Sequence, residues 1–239
     1  MKKSVFTPEE CQLIVDTLIE GNNSYLQERV SKSESMEVSG GYAWTRPNHF
    51  DDSFAKANLP FISDFTLKRA GLSWQYLEFS KSSEGDKVLL IIKNRTRLEA
   101  TYERKNGPKQ SQYLIDYATI NQDIANQAKS RGHYEEIKLE LFDNEIDFDT
   151  NLLQERFKGY KAFYVIVYEV NEARHISSVE VVMPNPHTQM LERVQSLSDY
   201  LRSSETSQFN AEVLQEFPLE NPSLTEEYGY LSGEEEKEA

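Results

Sequence analysis

Two β-branched, aromatic runs separated by five polar residues limit the fold more than any other stretch of the chain. Phe163-Tyr-Val-Ile-Val-Tyr-Glu-Val170 leads through Asn-Glu-Ala-Arg-His to Ile176-Ser-Ser-Val-Glu-Val-Val-Met183. Val, Ile, Tyr and Phe suit a pleated, half-buried surface, and the polar connection has hairpin length. These runs predict an antiparallel pair. Ser73–Ser80 and Lys87–Lys93, flanking Ser82-Ser-Glu-Gly-Asp86, predict a second one. Its later arm, Val88-Leu-Leu-Ile-Ile92, is apolar at successive positions, so both pleat faces must be covered and the strand belongs in the middle of a sheet. Glu136-Ile-Lys-Leu-Glu-Leu141 alternates cleanly and reads as one more strand.

Helices are signalled around these strands. Thr7 fits an N-cap, Pro8 the first helical position and Glu10 the reciprocal carboxylate of a capping box. Leu13, Ile14, Thr17 and Leu18 then share a face, and Gly21 stands where a C-cap is expected, leaving 23–40 as a frayed helix and loop. Residues 42–66 carry six aromatics with Pro47 and Pro60, which predicts short elements packed on the main body. Arg95–Glu103 fits a third strand or a short helix. After the Asn106-Gly107-Pro108 break, Leu114, Tyr117, Ala118, Asn121, Ile124, Ala125 and Ala128 form a helical stripe. Pro184-Asn185-Pro186 predicts a strand end and a helix start, with Met190, Leu191, Val194, Leu197 and Leu201 on the buried face.

The resulting expectation is an α+β domain over residues 1–203, with a mainly antiparallel sheet of about five strands and packed helices. An acidic tail, 204–239, follows. With 13 Tyr and 12 Phe spread over most of the chain, there is ample material for a core. The net charge is −14, and residues 203–239 carry −9 of it through ten Glu against Lys237, leaving −5 for the rest. That balance opposes direct nucleic-acid binding, which needs a basic surface. Two lysines with no apolar stretch behind them do not make a signal peptide, and no run approaches the length of a bilayer span. A single cysteine, Cys11, needs no oxidising compartment. The expectation is a cytoplasmic protein that needs no cofactor and has no membrane partner.

The chemistry-bearing patterns are few. Asp143, Glu145 and Asp147 alternate like calcium ligands, but Phe148 replaces the turn glycine of an EF-hand and Gln154 its final glutamate. Two hairpin arms, an undecided element, a helix and a strand over 73–142 suit a restriction-endonuclease-like nuclease. Glu103-Arg-Lys105 and the upstream Asp86 would then hold a divalent metal and orient water. The same residues also read as a charged turn. Arg95, Arg97, Arg104, Lys105 and Lys109, with Tyr102 among them, form a basic stretch interrupted by Glu99 and Glu103. The histidines His49, His133, His175 and His187 lie far apart, and no nucleophile elbow, phosphate loop or dinucleotide fingerprint occurs. In the tail, Glu226, Glu227, Tyr228 and Tyr230 combine acid and aromatic groups in the manner of segments that order on a partner protein.

Phe163–Val170, Val181-Val-Met-Pro-Asn-Pro186 and Leu197-Ser-Asp-Tyr-Leu201 resemble a pattern found in uncharacterised proteins of Gram-positive bacteria and their phages. The resemblance implies no activity and points to a phage or mobile-element accessory. The leading expectation is a non-enzymatic interaction or regulatory protein that binds and inhibits a host protein. A metal-dependent nuclease using Asp86, Glu103 and Lys105, and an acidic nucleic-acid mimic, are the alternatives.

Overall fold

A computed structural model describes residues 4–70, 74–83, 85–103, 112–130 and 156–209. In chain order the elements are α1 (Pro8–Ser35), a 3-10 turn (Gly40–Trp44), α2 (Arg46–Lys56), β1 (Ile62–Ala70), β2 (Trp74–Ser83) and β3 (Asp86–Asn94). Then come α3 (Arg95–Glu103), α4 (Gln112–Ala118), a second 3-10 turn (Thr119–Asn121) and α5 (Gln122–Ser130). The chain closes with β4 (Tyr160–Val170), β5 (Ile176–Pro184), β6 (Leu191–Ser196) and a helical turn, Tyr200–Ser203. The fold is α+β.

The six strands lie in sequence order, β1-β2-β3-β4-β5-β6. Every neighbouring pair is antiparallel except β3 and β4, which run parallel with Val88 beside Ala162. The sheet is thus two three-stranded meanders joined along one parallel seam. A parallel connection needs a crossover, and α3, α4 and α5 lie between β3 and β4 in the chain. α3 and α4 pack on one face of the sheet, where Leu98, Leu114 and Tyr117 meet Leu89, Ile91, Phe163, Val165 and Val167. The other face carries α1 and α2, whose Ile14, Leu18, Phe50 and Phe54 meet Phe79, Leu90, Ile92, Ile166 and Tyr168. The central position expected for Val88–Ile92 follows from this: alternate residues enter different cores.

The Thr7–Glu10 capping box is present, with Glu10 N–H donating to Thr7 Oγ1 and Thr7 N–H to Glu10 Oε2. Gly21 does not end α1. The helix runs on to Ser35 because Asn22, Tyr25, Leu26 and Arg29 continue the buried stripe at helical spacing. Gly21 instead marks where α2 crosses, since a Cβ there would stand 2.8 Å from Phe50 Cδ1 and 3.2 Å from the His49 carbonyl.

Two further expectations are corrected. Residues 62–66, included in the short elements expected over 42–66, belong to a full strand, Ile62–Ala70. The helix expected after Pro184 is a turn and strand β6. Asn185 does cap, but its side chain accepts from His187 and Thr188 N–H within a tight turn closed by Asn185 N–H to the Met190 carbonyl. An Asx cap starts turns as readily as helices. The strand then fills the free side of β5, and its neighbours Leu191 and Leu197 join opposite cores, which a single helical stripe does not allow. Arg95–Glu103 is a helix. The predicted 136–141 strand lies outside the described residues.

Candidate functional site

Of the sequence-derived candidates for a metal or partner site, only Asp86 and Glu103 lie within the described residues. Asp86 is exposed at the first position of β3, opposite Ser83, while Glu103 is the last residue of α3. Eight strand steps rise roughly 26 Å, and a nine-residue helix spans only about 13 Å. An α3 folded straight back along β3 would leave the two backbone positions about 13 Å apart. Lys105, Asp143, Glu145, Asp147, Glu226, Glu227, Tyr228 and Tyr230 lie outside the described residues, as do His133, Arg104 and Lys109. Among the described residues no group of three or more His, Cys, Asp or Glu is placed to hold a metal ion, and no helix is long and apolar enough to cross a membrane.

The other candidates have internal partners. His49 lies 2.7 Å from Glu28 Oε2 and 3.0 Å from Ser24 Oγ, His187 contacts Asn126 Oδ1, and His175 contacts the Phe209 carbonyl. Cys11 is buried and receives a contact from Gln195 Nε2 at 3.1 Å. Burial, with help from the Glu10 charge, pushes its thiol up to about 11, so it is a packed side chain rather than a nucleophile. Arg97 stacks on Trp44 at 5.1 Å.

Arg95 organises a concavity between α3 and the sheet. Asn94 Oδ1 accepts Arg97 N–H and so starts α3, which places the Arg95 guanidinium over the sheet. It pairs with Glu99 (3.3 Å), Glu169 (3.2 Å) and Glu180, and Glu180 also receives Arg193 at 3.0 Å. Arg95, Glu99, Glu180 and Arg193, with Leu98, Val167, Val182 and Leu191, line a cleft of roughly 150 Å³. That is about half the smallest usual small-molecule pocket, and its charges already face one another. The cluster joins α3 to β4, β5 and β6; it offers little to a ligand.

A second polar group sits where β2 leaves β3. Their pairing stops at Phe79 and Leu90, although β2 continues with β1 as far as Trp74 and β3 continues with β4 as far as Asn94. Asp51 of α2 enters the gap, and Leu77 N–H, without a strand partner there, donates to its Oδ2 at 3.0 Å. Burial raises the Asp51 carboxyl to about 7, with the Lys93 charge and the Leu77 N–H opposing the rise. On the opposite pleat face Glu78 is also raised by burial, against Lys68 and Arg156. It accepts from Tyr117 Oη, which meets Tyr76 Oη at 2.8 Å. These groups close the second core and anchor a two-stranded ribbon, β1–β2, that stands clear of the sheet body.

The outer strand of that ribbon is the open feature. From Ser63 to Leu67 every residue of β1 is exposed, including Phe65 at 47 % and Leu67 at 58 %. Strand alternation fixes which groups face outward. Ser83 and Asp86 close the β2–β3 hairpin as a hydrogen-bonded pair, so Phe79 and Leu90 form the same type of pair. Phe79 therefore turns its N–H and C=O toward β3. Its β1 partner, Phe65, turns its own outward, and Leu67 and Arg69 follow by alternation. Two bonds agree: Leu77 N–H points to the β3 side, into Asp51, and Phe65 N–H is met only by its neighbour's Asp64 Oδ1 at 2.8 Å. The sequence held this signal in the period-two run Phe65-Thr-Leu67, obscured by Pro60 and by charges at Asp64, Lys68 and Arg69.

The chain matches no protein-family model, no curated protein and no solved structure.

Proposed function

We propose that this chain is a non-enzymatic interaction protein that engages another polypeptide through the open edge of its sheet, adding a strand to β1. The observation that carries the reading is the edge itself. It presents outward main-chain N–H and C=O groups at Phe65, Leu67 and Arg69, with two large apolar side chains exposed beside them. Added strands draw affinity from main-chain hydrogen bonds and specificity from alternate side chains, and this edge offers both. The mutually paired charges of the Arg95 cleft favour binding over catalysis.

The test uses Leu67→Pro. The Leu67 N–H faces outward, so proline removes an edge donor without breaking the β1–β2 ladder, and edge strands tolerate it. A polypeptide that protects the Phe65 and Leu67 amides from hydrogen exchange in the native chain, and fails to bind Leu67→Pro, supports the reading. Binding that ignores the substitution and leaves those amides exchanging overturns it.

A further inference from the structure

We propose that the strand received by β1 is the β1 of a second copy of this chain, paired antiparallel about a two-fold axis at Thr66. This rests on the edge-docking reading and adds to it the partner and the register.

The argument is one of self-complementarity. In an antiparallel pair centred on Thr66, Phe65 lies opposite Leu67 of the other copy, Asp64 opposite Lys68, and Ser63 opposite Arg69. Phe65 and Leu67 carry the outward N–H and C=O groups, so they become the hydrogen-bonded pairs of the new ladder. Thr66–Thr66 and Asp64–Lys68 become the closer, non-hydrogen-bonded pairs, where side chains interact most strongly. The two exposed apolar residues thus cover each other, and each copy contributes the acid that meets the other's base. A two-fold interface must be complementary to itself in this way.

Neighbouring registers lose these matches. An axis at Phe65 stacks that ring on itself and sets Asp64 against Thr66. An axis at Leu67 sets Phe65 against Arg69 and Asp64 against Ala70. Axes between residues place outward groups opposite inward ones and form no ladder. Charges on an edge strand commonly block pairing. Here an acid near one end and a base near the other invite a copy running in reverse. Lys68 and Arg69 against Asp64 also leave the strand at +1 in a chain of −14.

Sedimentation velocity on the full chain, at micromolar to tens-of-micromolar concentration, tests this. The native chain is expected to be dimeric. Asp64→Lys and Lys68→Asp, tested separately, each set two like-charged pairs across the axis and weaken the dimer by about tenfold or more. Mixed together, the two variants restore opposite pairs and form a heterodimer, and the double variant Asp64→Lys/Lys68→Asp recovers the homodimer. Rescue by mixing is a readout that misfolding does not produce. Independently, Thr66→Cys cross-links across the axis under mild oxidation while Arg69→Cys does not, with Cys11 buried and silent.

A native chain that stays monomeric over this range, or a dimer indifferent to both charge swaps, overturns the inference. If the chain is monomeric yet loses a different bound polypeptide in Leu67→Pro, the edge-docking reading survives without it. If a dimer ignores the swaps and Leu67→Pro alike, both fail.

Discussion

The two edges of this sheet are built to opposite rules. β6 is six residues long, is offset from β5 by an irregularity between Val181 and Val182, and is tied down by the N-terminal segment. The Gln195 carboxamide accepts from Val5 and Phe6 N–H and donates to the Phe6 carbonyl. Short, irregular, covered edges are how sheets avoid pairing with other chains. β1 is nine residues long, regular against β2 from Asp64 to Ala70, and open along its outer side.

Three experiments break or sharpen this contrast. The largest effect is expected at the anchor of the β1–β2 ribbon. The Asp51 carboxyl is raised from 3.8 to about 7 in the folded protein, so the fold holds that proton more tightly than the unfolded chain. Stability from this group is complete below about 4 and is lost as pH rises through about 7, by up to about 4 kcal/mol. Asp51→Asn keeps an acceptor for Leu77 N–H and should flatten that slope in urea titrations between pH 4 and pH 8. An unchanged slope removes Asp51 from its role. Next, Thr66→Pro should cost about 3 kcal/mol, because the Thr66 N–H faces β2. Leu67→Pro should cost far less, and equal losses would contradict the assignment of the outward groups. Smallest is the comparison of locks. Gln195→Ala strands two N–H groups and should cost about 2 kcal/mol. Asp64→Ala, which frees one exposed N–H, should cost about 0.5 kcal/mol or less, both read from the denaturation midpoint.

The legible parts of the fold were those where one physical signal acted alone. The Phe163–Val170 and Ile176–Met183 runs, the central Val88–Ile92 strand and the Thr7 capping box each carry an unopposed local pattern. Errors arose where two signals share residues. Gly21 resembles a helix stop, yet the stripe of Asn22, Tyr25, Leu26 and Arg29 outweighs it once α2 lies across the helix. Asn185 with flanking prolines suits a helix start and a tight turn equally, and the vacancy beside β5 decided. The exposed strand β1 was missed because an exposed strand lacks the strong apolar pattern by which strands are recognised.

The parallel seam between β3 and β4 has a consequence for how the chain reaches this structure. Each meander, β1–β2–β3 and β4–β5–β6, is built from neighbours close in sequence, so loop closure within it is cheap. The seam joins Val88 to Ala162 and requires the whole intervening stretch to be gathered first. The two halves are therefore expected to condense early and separately, with docking of β3 on β4 limiting the rate. Val179→Ala on β5, inside a half already formed when docking occurs, should slow refolding with little effect on unfolding, whereas Ile91→Val and Val165→Ala, at the seam, should divide their effect between the two rates.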